Sequence, residues 1–180
     1  MSRMGYKQFG AFVLASVLAV TGFAAENANQ SSAAARKEME MLASKGITES
    51  LKVLQEQGAI YPFELLLEQK DQVRLVGYSG ASEDKPAATE YAKVLIAEAR
   101  SYADKHPELK AAAIFRMHSI LGDKGQQIPG VWALVDHRSE RPWIVFQPLV
   151  PSGKDRHYSL GDQIYQATDI NLFEPVPEKN

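Results

Sequence analysis

Apolar residues recur at helical spacing in the first half of the chain, between Ala33 and Gln57. Charged residues occupy the intervening positions, so this stretch is predicted to form an amphipathic helix. Ser31 or Ser32 is expected to cap its start, since serine oxygens accept the free N–H groups of a first turn. Gly46 interrupts the pattern and predicts a break or kink, and Gly58 suits the C-terminal cap.

A second helix is predicted from Pro86 to Lys105. Its apolar positions, which include Tyr91 and Leu95, fall along one face, and proline is tolerated in a first turn. Ser82 or Asp84 is the expected N-cap.

The remaining apolar stretches are short and are bounded by turn residues, which is typical of β-strands. The stretch Tyr61–Gln69 and the stretch Val73–Tyr78 flank a polar connector and predict a β-hairpin. Asp162–Ala167 is compatible with a short helix or a strand. Three further strands are predicted at Ala111–Leu121, Gly130–Val135 and Pro142–Val150.

The predicted order is therefore helix, hairpin, helix and three strands. Grouped rather than alternating elements favour an α+β fold, with an antiparallel sheet of about five strands and two helices packed on one face. The predicted boundaries are a flexible segment at 25–32, a single domain over 33–174 and a frayed tail at 175–180.

The N-terminus has the three regions of a secretory signal peptide. Arg3 and Lys7 are basic, Ala11–Val20 is an unbroken apolar run, and small residues precede a cleavage point between Ala24 and Ala25. An uncleaved membrane anchor is the alternative, but the apolar stretch is at the short end of what a spanning helix needs. We expect a periplasmic or secreted protein that contacts the membrane only through its signal peptide.

Composition excludes several classes of function. The chain has 180 residues, with 20 Lys and Arg against 22 Asp and Glu, and its pI is about 6.1, which disfavours a nucleic-acid-binding protein. Removal of residues 1–24 takes away two bases and leaves a net charge of −4. Because there is no cysteine, disulfides, thiolate zinc sites and a cysteine nucleophile are excluded. No motif indicates a metal or cofactor.

Charged residues on the predicted late strands form the candidate binding site. Arg116 and His118 share a strand face, and Asp136 or His137 at the end of the next strand is expected to pair with them. Such a group can bind an anion or act as an acid–base pair. Two mixed-charge turns, Asp136–Arg141 and Lys154–His157, are expected to form one polar rim. The predicted binding residues are Arg116, His118, Asp136, His137, Arg138 and Arg156.

A small periplasmic hydrolase that uses Ser79 or an acid–base pair around His118 is the alternative function. Gly77–Ala81 reads Gly-Tyr-Ser-Gly-Ala after a predicted strand, which resembles a nucleophile elbow with Ser79 as the nucleophile. Polar residues then separate Ser79 from the next helix, whereas an elbow leads directly into one. The sequence therefore favours no catalytic residue.

The arrangement from Leu51 to Val150, in which Tyr61-Pro62-Phe63 opens a hairpin before a helix and three late strands, resembles small exported α+β domains of the immunity-protein kind. That resemblance implies a protein that binds and blocks another protein. The sequence thus predicts a non-enzymatic exported binding protein, with a protein partner or a small ligand on the exposed sheet face or its rim.

Overall fold

The computed structural model describes residues 20–153 and 157–174. Most of the predicted signal peptide and the predicted tail at 175–180 lie outside these residues. The elements are α1 (Val20–Gln57), β1 (Phe63–Leu67), β2 (Val73–Gly77), α2 (Ala88–Lys105), β3 (Ala111–Leu121), β4 (Gln127–His137), β5 (Glu140–Pro151), β6 (Tyr158–Leu160) and β7 (Ile164–Ala167).

The strands form a curled antiparallel sheet with the order β2-β1-β3-β4-β5-β6, and β7 also pairs with β5. The α+β class and the predicted hairpin are confirmed, but the described residues contain seven strands rather than about five. The two additional strands pair with successive parts of β5, so β6 and β7 act as one interrupted edge strand. The sequence of Asp162–Ala167 is compatible with a short helix or a strand, and its second part forms β7.

The two helices cover opposite faces of the sheet, so the prediction that both pack on one face is wrong. Alternate residues of β3 separate into two cores: Ala113 and Phe115 pack under α1, while Ala112 and Ile114 pack under α2. The first five residues of β3 are all buried, so a helix on one side alone would have left half of them in water.

Gly46 does not break α1, which is continuous from Val20 to Gln57. A Cβ atom at Gly46 would lie 2.0 Å from Cζ of Phe115. The glycine therefore allows the helix backbone to rest directly on the Phe115 ring. The predicted cap at Gly58 is confirmed, because its φ is 78° and its N–H donates to the Leu54 carbonyl at 2.8 Å.

Both helices begin differently from the predictions made for them. Helix α1 begins before Ala33, and the Ser32 hydroxyl donates to Glu140 on β5 instead of capping the helix. Residues 82–84 form a separate turn of 3₁₀ helix, and α2 has Ala87 as its N-cap with no side-chain hydrogen bond. Neither Ser82 nor Asp84 is therefore the cap.

Candidate functional site

Asp136 anchors the C-terminal segment and does not pair with Arg116 or His118 as predicted. It is 2% exposed, and its Oδ2 accepts hydrogen bonds from the backbone N–H groups of Leu172 (2.6 Å) and Phe173 (3.1 Å). Burial raises the pKa of the Asp136 carboxyl, and the hydrogen bonds from backbone N–H groups oppose that shift. Asp136 lies opposite Ala112 on β3, four residues from Arg116 and so about 13 Å away along the strand.

His137 belongs to a polar network that fastens α1 to the sheet. Ser139 N–H donates to its Nδ1 at 2.9 Å, so Nε2 carries the proton and donates to Glu38 Oε2 at 2.9 Å. Lys110 donates to the other oxygen of Glu38 and, at 3.1 Å, to Asp71. The bonds to Glu38 and Asp71 raise the pKa of Lys110. Since both ring nitrogens are engaged and the ring is buried, His137 contributes to packing.

Arg138 closes the C-terminal end of α2. Its guanidinium donates to the carbonyls of Leu109 (2.8 Å), Ala103 (2.6 Å) and His106 (3.0 Å). Ala103 and His106 lie at the helix end, where carbonyls lack intrahelical partners, and Leu109 lies in the loop that follows. Arg138 therefore holds α2 and the following loop to the β4–β5 turn.

The structure separates the described parts of the predicted polar rim. Residues 138 and 139 form the turn before β5, whereas residue 157 follows β5, so they lie at opposite ends of a 12-residue strand. Arg156, from the second turn, lies outside the described residues. The two tryptophans also separate, because Trp132 packs on the α2 side and Trp143 on the α1 side.

Arg116 and His118 remain together, on the α2 face where β3 extends beyond the helix. The Arg116 guanidinium lies over the Trp132 ring, 4.5 Å from its centroid, and its Nη1 is 3.5 Å from His118 Nδ1. The His118 ring meets Phe146 edge-on. Register explains this group, since Arg116 lies opposite Trp132, which lies opposite Phe146 on β5.

The pKa of His118 is lowered. Partial burial is the larger cause, and repulsion by the Arg116 charge adds to it. The pKa of Arg116 is lowered as well, by burial alone. No carboxylate opposes either shift, because none of the described carboxylates lies within ion-pair distance of Arg116 or His118.

A cavity of about 280 Å³ opens beside Arg116, between α2 and the sheet. We refer to it as the Arg116 groove. Its walls come from three parts of the chain, namely α2, the adjacent strands and the segment that Asp136 anchors. The lining residues are Thr89, Ala92, Lys93, Ile96, Arg116, Trp132 and Ile170. The groove thus combines apolar walls with a hydroxyl and two basic side chains.

Ser79 lies in an exposed loop, and its side chain makes no hydrogen bond to a histidine or carboxylate in the described part of the chain. Nucleophilic catalysis by serine requires a base within hydrogen-bond reach. Gly80 fits closely below the Tyr78 ring, where a Cβ would lie 2.4 Å from the hydroxyl oxygen. The Gly-Tyr-Ser-Gly motif therefore forms a turn packed around Tyr78.

Glu64 is a buried acidic residue that was not among the predicted site residues. It is 3% exposed on the α2 face of β1, and its Oε1 has no hydrogen-bond partner among the described residues. Burial raises its pKa to about 8, with Arg74 opposing the shift and Glu98 adding to it. Its burial could have been predicted from the sequence, because Glu64 is the one acidic residue in the apolar run Phe63–Leu67. Strand alternation places it on the same side as Leu66.

Comparison with models of known protein families, with curated proteins and with solved structures finds no match to this chain. Among residues 20–153 and 157–174, no three acidic or histidine side chains are grouped closely enough to hold a metal ion. Within the same residues, no helix has the length and apolar character needed to cross a membrane.

Proposed function

We propose that this chain is an exported, non-enzymatic binding protein and that the Arg116 groove is its ligand site. The observation that carries the proposal is the half-buried Arg116, stacked on Trp132 at the mouth of an open cavity without a carboxylate partner. Small-molecule sites combine mainly apolar and aromatic walls with a few polar or charged side chains that orient the ligand.

The geometry favours binding over catalysis. An enzyme needs a nucleophile, a base and an orienting group within hydrogen-bond reach of one another. Among the described residues, Asp136 and His137 are engaged in structural hydrogen bonds, and Ser79 has no base beside it. His118 faces Arg116 and Phe146 rather than a carboxylate.

The chain offers a direct test because it contains two tryptophans on opposite faces of the sheet. The indole N–H signals of Trp132 and Trp143 can be followed by NMR while a chemically mixed set of small fragments is added. We expect at least one fragment to shift the Trp132 signal saturably and to leave Trp143 unchanged. Trp132→Phe and Trp143→Phe assign the two signals. If no fragment moves Trp132, or if bound fragments are converted to products, the proposal is wrong.

Export is tested separately from binding. N-terminal sequencing of the protein recovered from a bacterial periplasm should begin at Ala25, after removal of residues 1–24. A chain that begins at Met1 in the membrane fraction would contradict the export part of the proposal and leave the binding part untouched.

A further inference from the structure

Arg116 differs from a second arginine placed in a similar way. Arg74 on β2 also stacks on an aromatic ring, 4.8 Å from the centroid of Tyr102, but it forms an ion pair with Glu68 at 3.1 Å. Arg116 lies over the Trp132 ring but has no carboxylate partner among the described residues. Removing a cation from water without a counter-ion is unfavourable, and a bound anion would offset that cost.

The Arg116 groove contains about one positive charge that has no ion-pair partner among the described residues. Lys93, the other basic lining residue, forms an ion pair with Glu90 at 2.9 Å. The neighbouring His118 has a lowered pKa, so it is neutral at pH 7. Arg116 therefore supplies the positive charge that a ligand meets, which matches a singly charged anion better than a phosphate dianion.

The rest of the groove is suited to an apolar body. Ala92 and Ile96 on α2, Ile170 and the Trp132 ring form its walls. A volume of about 280 Å³ lies at the lower end of the range for small-molecule sites, so the body must be short.

We propose that the Arg116 groove binds a small organic monoanion, with its carboxylate on the Arg116 guanidinium and its apolar body against Trp132, Ile96 and Ile170. This inference rests on the proposed binding function and specifies the class of ligand. The Trp132 ring lies against the guanidinium, 4.5 Å from Cζ to the ring centroid, and the N–H groups of a guanidinium lie along the edge of its plane. A carboxylate can accept two parallel hydrogen bonds from such an edge.

The test compares benzoate with benzyl alcohol, which has a similar body and no charge, and with inorganic phosphate, which has charge and no apolar body. Binding is measured by calorimetry and by the Trp132 indole signal. We expect benzoate to bind saturably and both comparison compounds to bind at least about tenfold more weakly, because a charge-assisted pair is lost or the apolar contact is missing. Bound benzoate should also raise the pKa of His118 by offsetting the Arg116 charge.

Arg116→Met should weaken benzoate binding at least about tenfold, while Arg116→Lys should give an intermediate loss because it keeps the charge without the planar edge. Arg74→Met is the matched control and should bind benzoate like the wild type. Circular dichroism of each variant verifies folding, and Arg116→Lys keeps the test decisive if Arg116→Met does not fold.

Three results would overturn the inference: equal affinity for benzyl alcohol, equal affinity for phosphate, or benzoate binding that survives in Arg116→Lys and Arg116→Met alike. If benzoate fails while other fragments still shift Trp132, the ligand class is wrong and the proposed binding function stands. If no compound shifts Trp132, both are wrong.

Discussion

Replacing Glu64 with glutamine measures what a buried carboxyl group costs this fold. Glu64 is 3% exposed, and burial raises its pKa from 4.5 to about 8. The folded protein therefore holds the Glu64 proton more tightly than the unfolded chain does. Each pH unit between the two pKa values corresponds to 1.36 kcal/mol, so the ionised form destabilises the fold by about 5 kcal/mol at its limit.

The sign follows from proton binding. Below pH 4.5 Glu64 is protonated in both states, and its contribution to stability is fully present. As pH rises from there, the unfolded chain releases the proton while the folded chain keeps it, so the free energy of unfolding falls until the pH passes about 8. Glutamine carries no charge and removes this decline.

The assay is urea denaturation of the wild type and of Glu64→Gln at several pH values from about 5 to about 9. Near pH 5 the variant should be equal to the wild type or slightly less stable, because the amide must be accommodated in the core. Near pH 8 it should be more stable by several kcal/mol. Glu56→Gln, on the exposed side of α1, is the control and should follow the wild type. A stability difference between Glu64→Gln and the wild type that stays constant over this range would refute the reasoning.

Three further changes test the packing and the candidate residues. Gly46→Ala should destabilise the protein by about 1–3 kcal/mol in thermal unfolding, because the new Cβ would lie 2.0 Å from Cζ of Phe115, and Phe115→Leu in the same chain should restore part of the loss. Asp136→Ala leaves three buried backbone N–H groups without an acceptor, so it should lower the free energy of unfolding by on the order of 3 kcal/mol. It should also speed proteolysis of residues 168–174, and an unchanged rate of proteolysis there would contradict the anchoring role of Asp136. Ser79→Ala should leave stability and ligand binding within about 0.5 kcal/mol of the wild type, and loss of a hydrolytic activity in this variant would count against the binding function.

Local pattern was sufficient for the type and order of most elements. Helix α2, the β1–β2 hairpin and the strands β3 to β5 lie close to where periodicity and turn residues predicted them. These features depend on neighbours within a few positions, because a period of 3.6 or 2 is a property of the local chain. The cap at Gly58 is of the same kind, since its positive φ is required by the end of a single helix.

The partners of the charged residues were decided by the tertiary structure. His137 meets Glu38, which lies 99 positions earlier, and Asp136 meets Leu172, 36 positions later, so neither contact has a local signature. Arg116 could have met a carboxylate from any element brought onto its face, and register placed Trp132 there instead.

The sheet faces that the two helices cover were also decided by the tertiary structure. The first five residues of β3 are buried on both faces of the sheet, yet nothing in the sequence of either helix specifies which face it covers. That choice depends on how the elements fit together in three dimensions, as Gly46 shows. In the sequence it is typical of a helix break, and in the fold it is the position at which α1 rests on the Phe115 ring of the sheet. A glycine has the same local signature in both roles, and only the neighbouring atom supplied by another element distinguishes them.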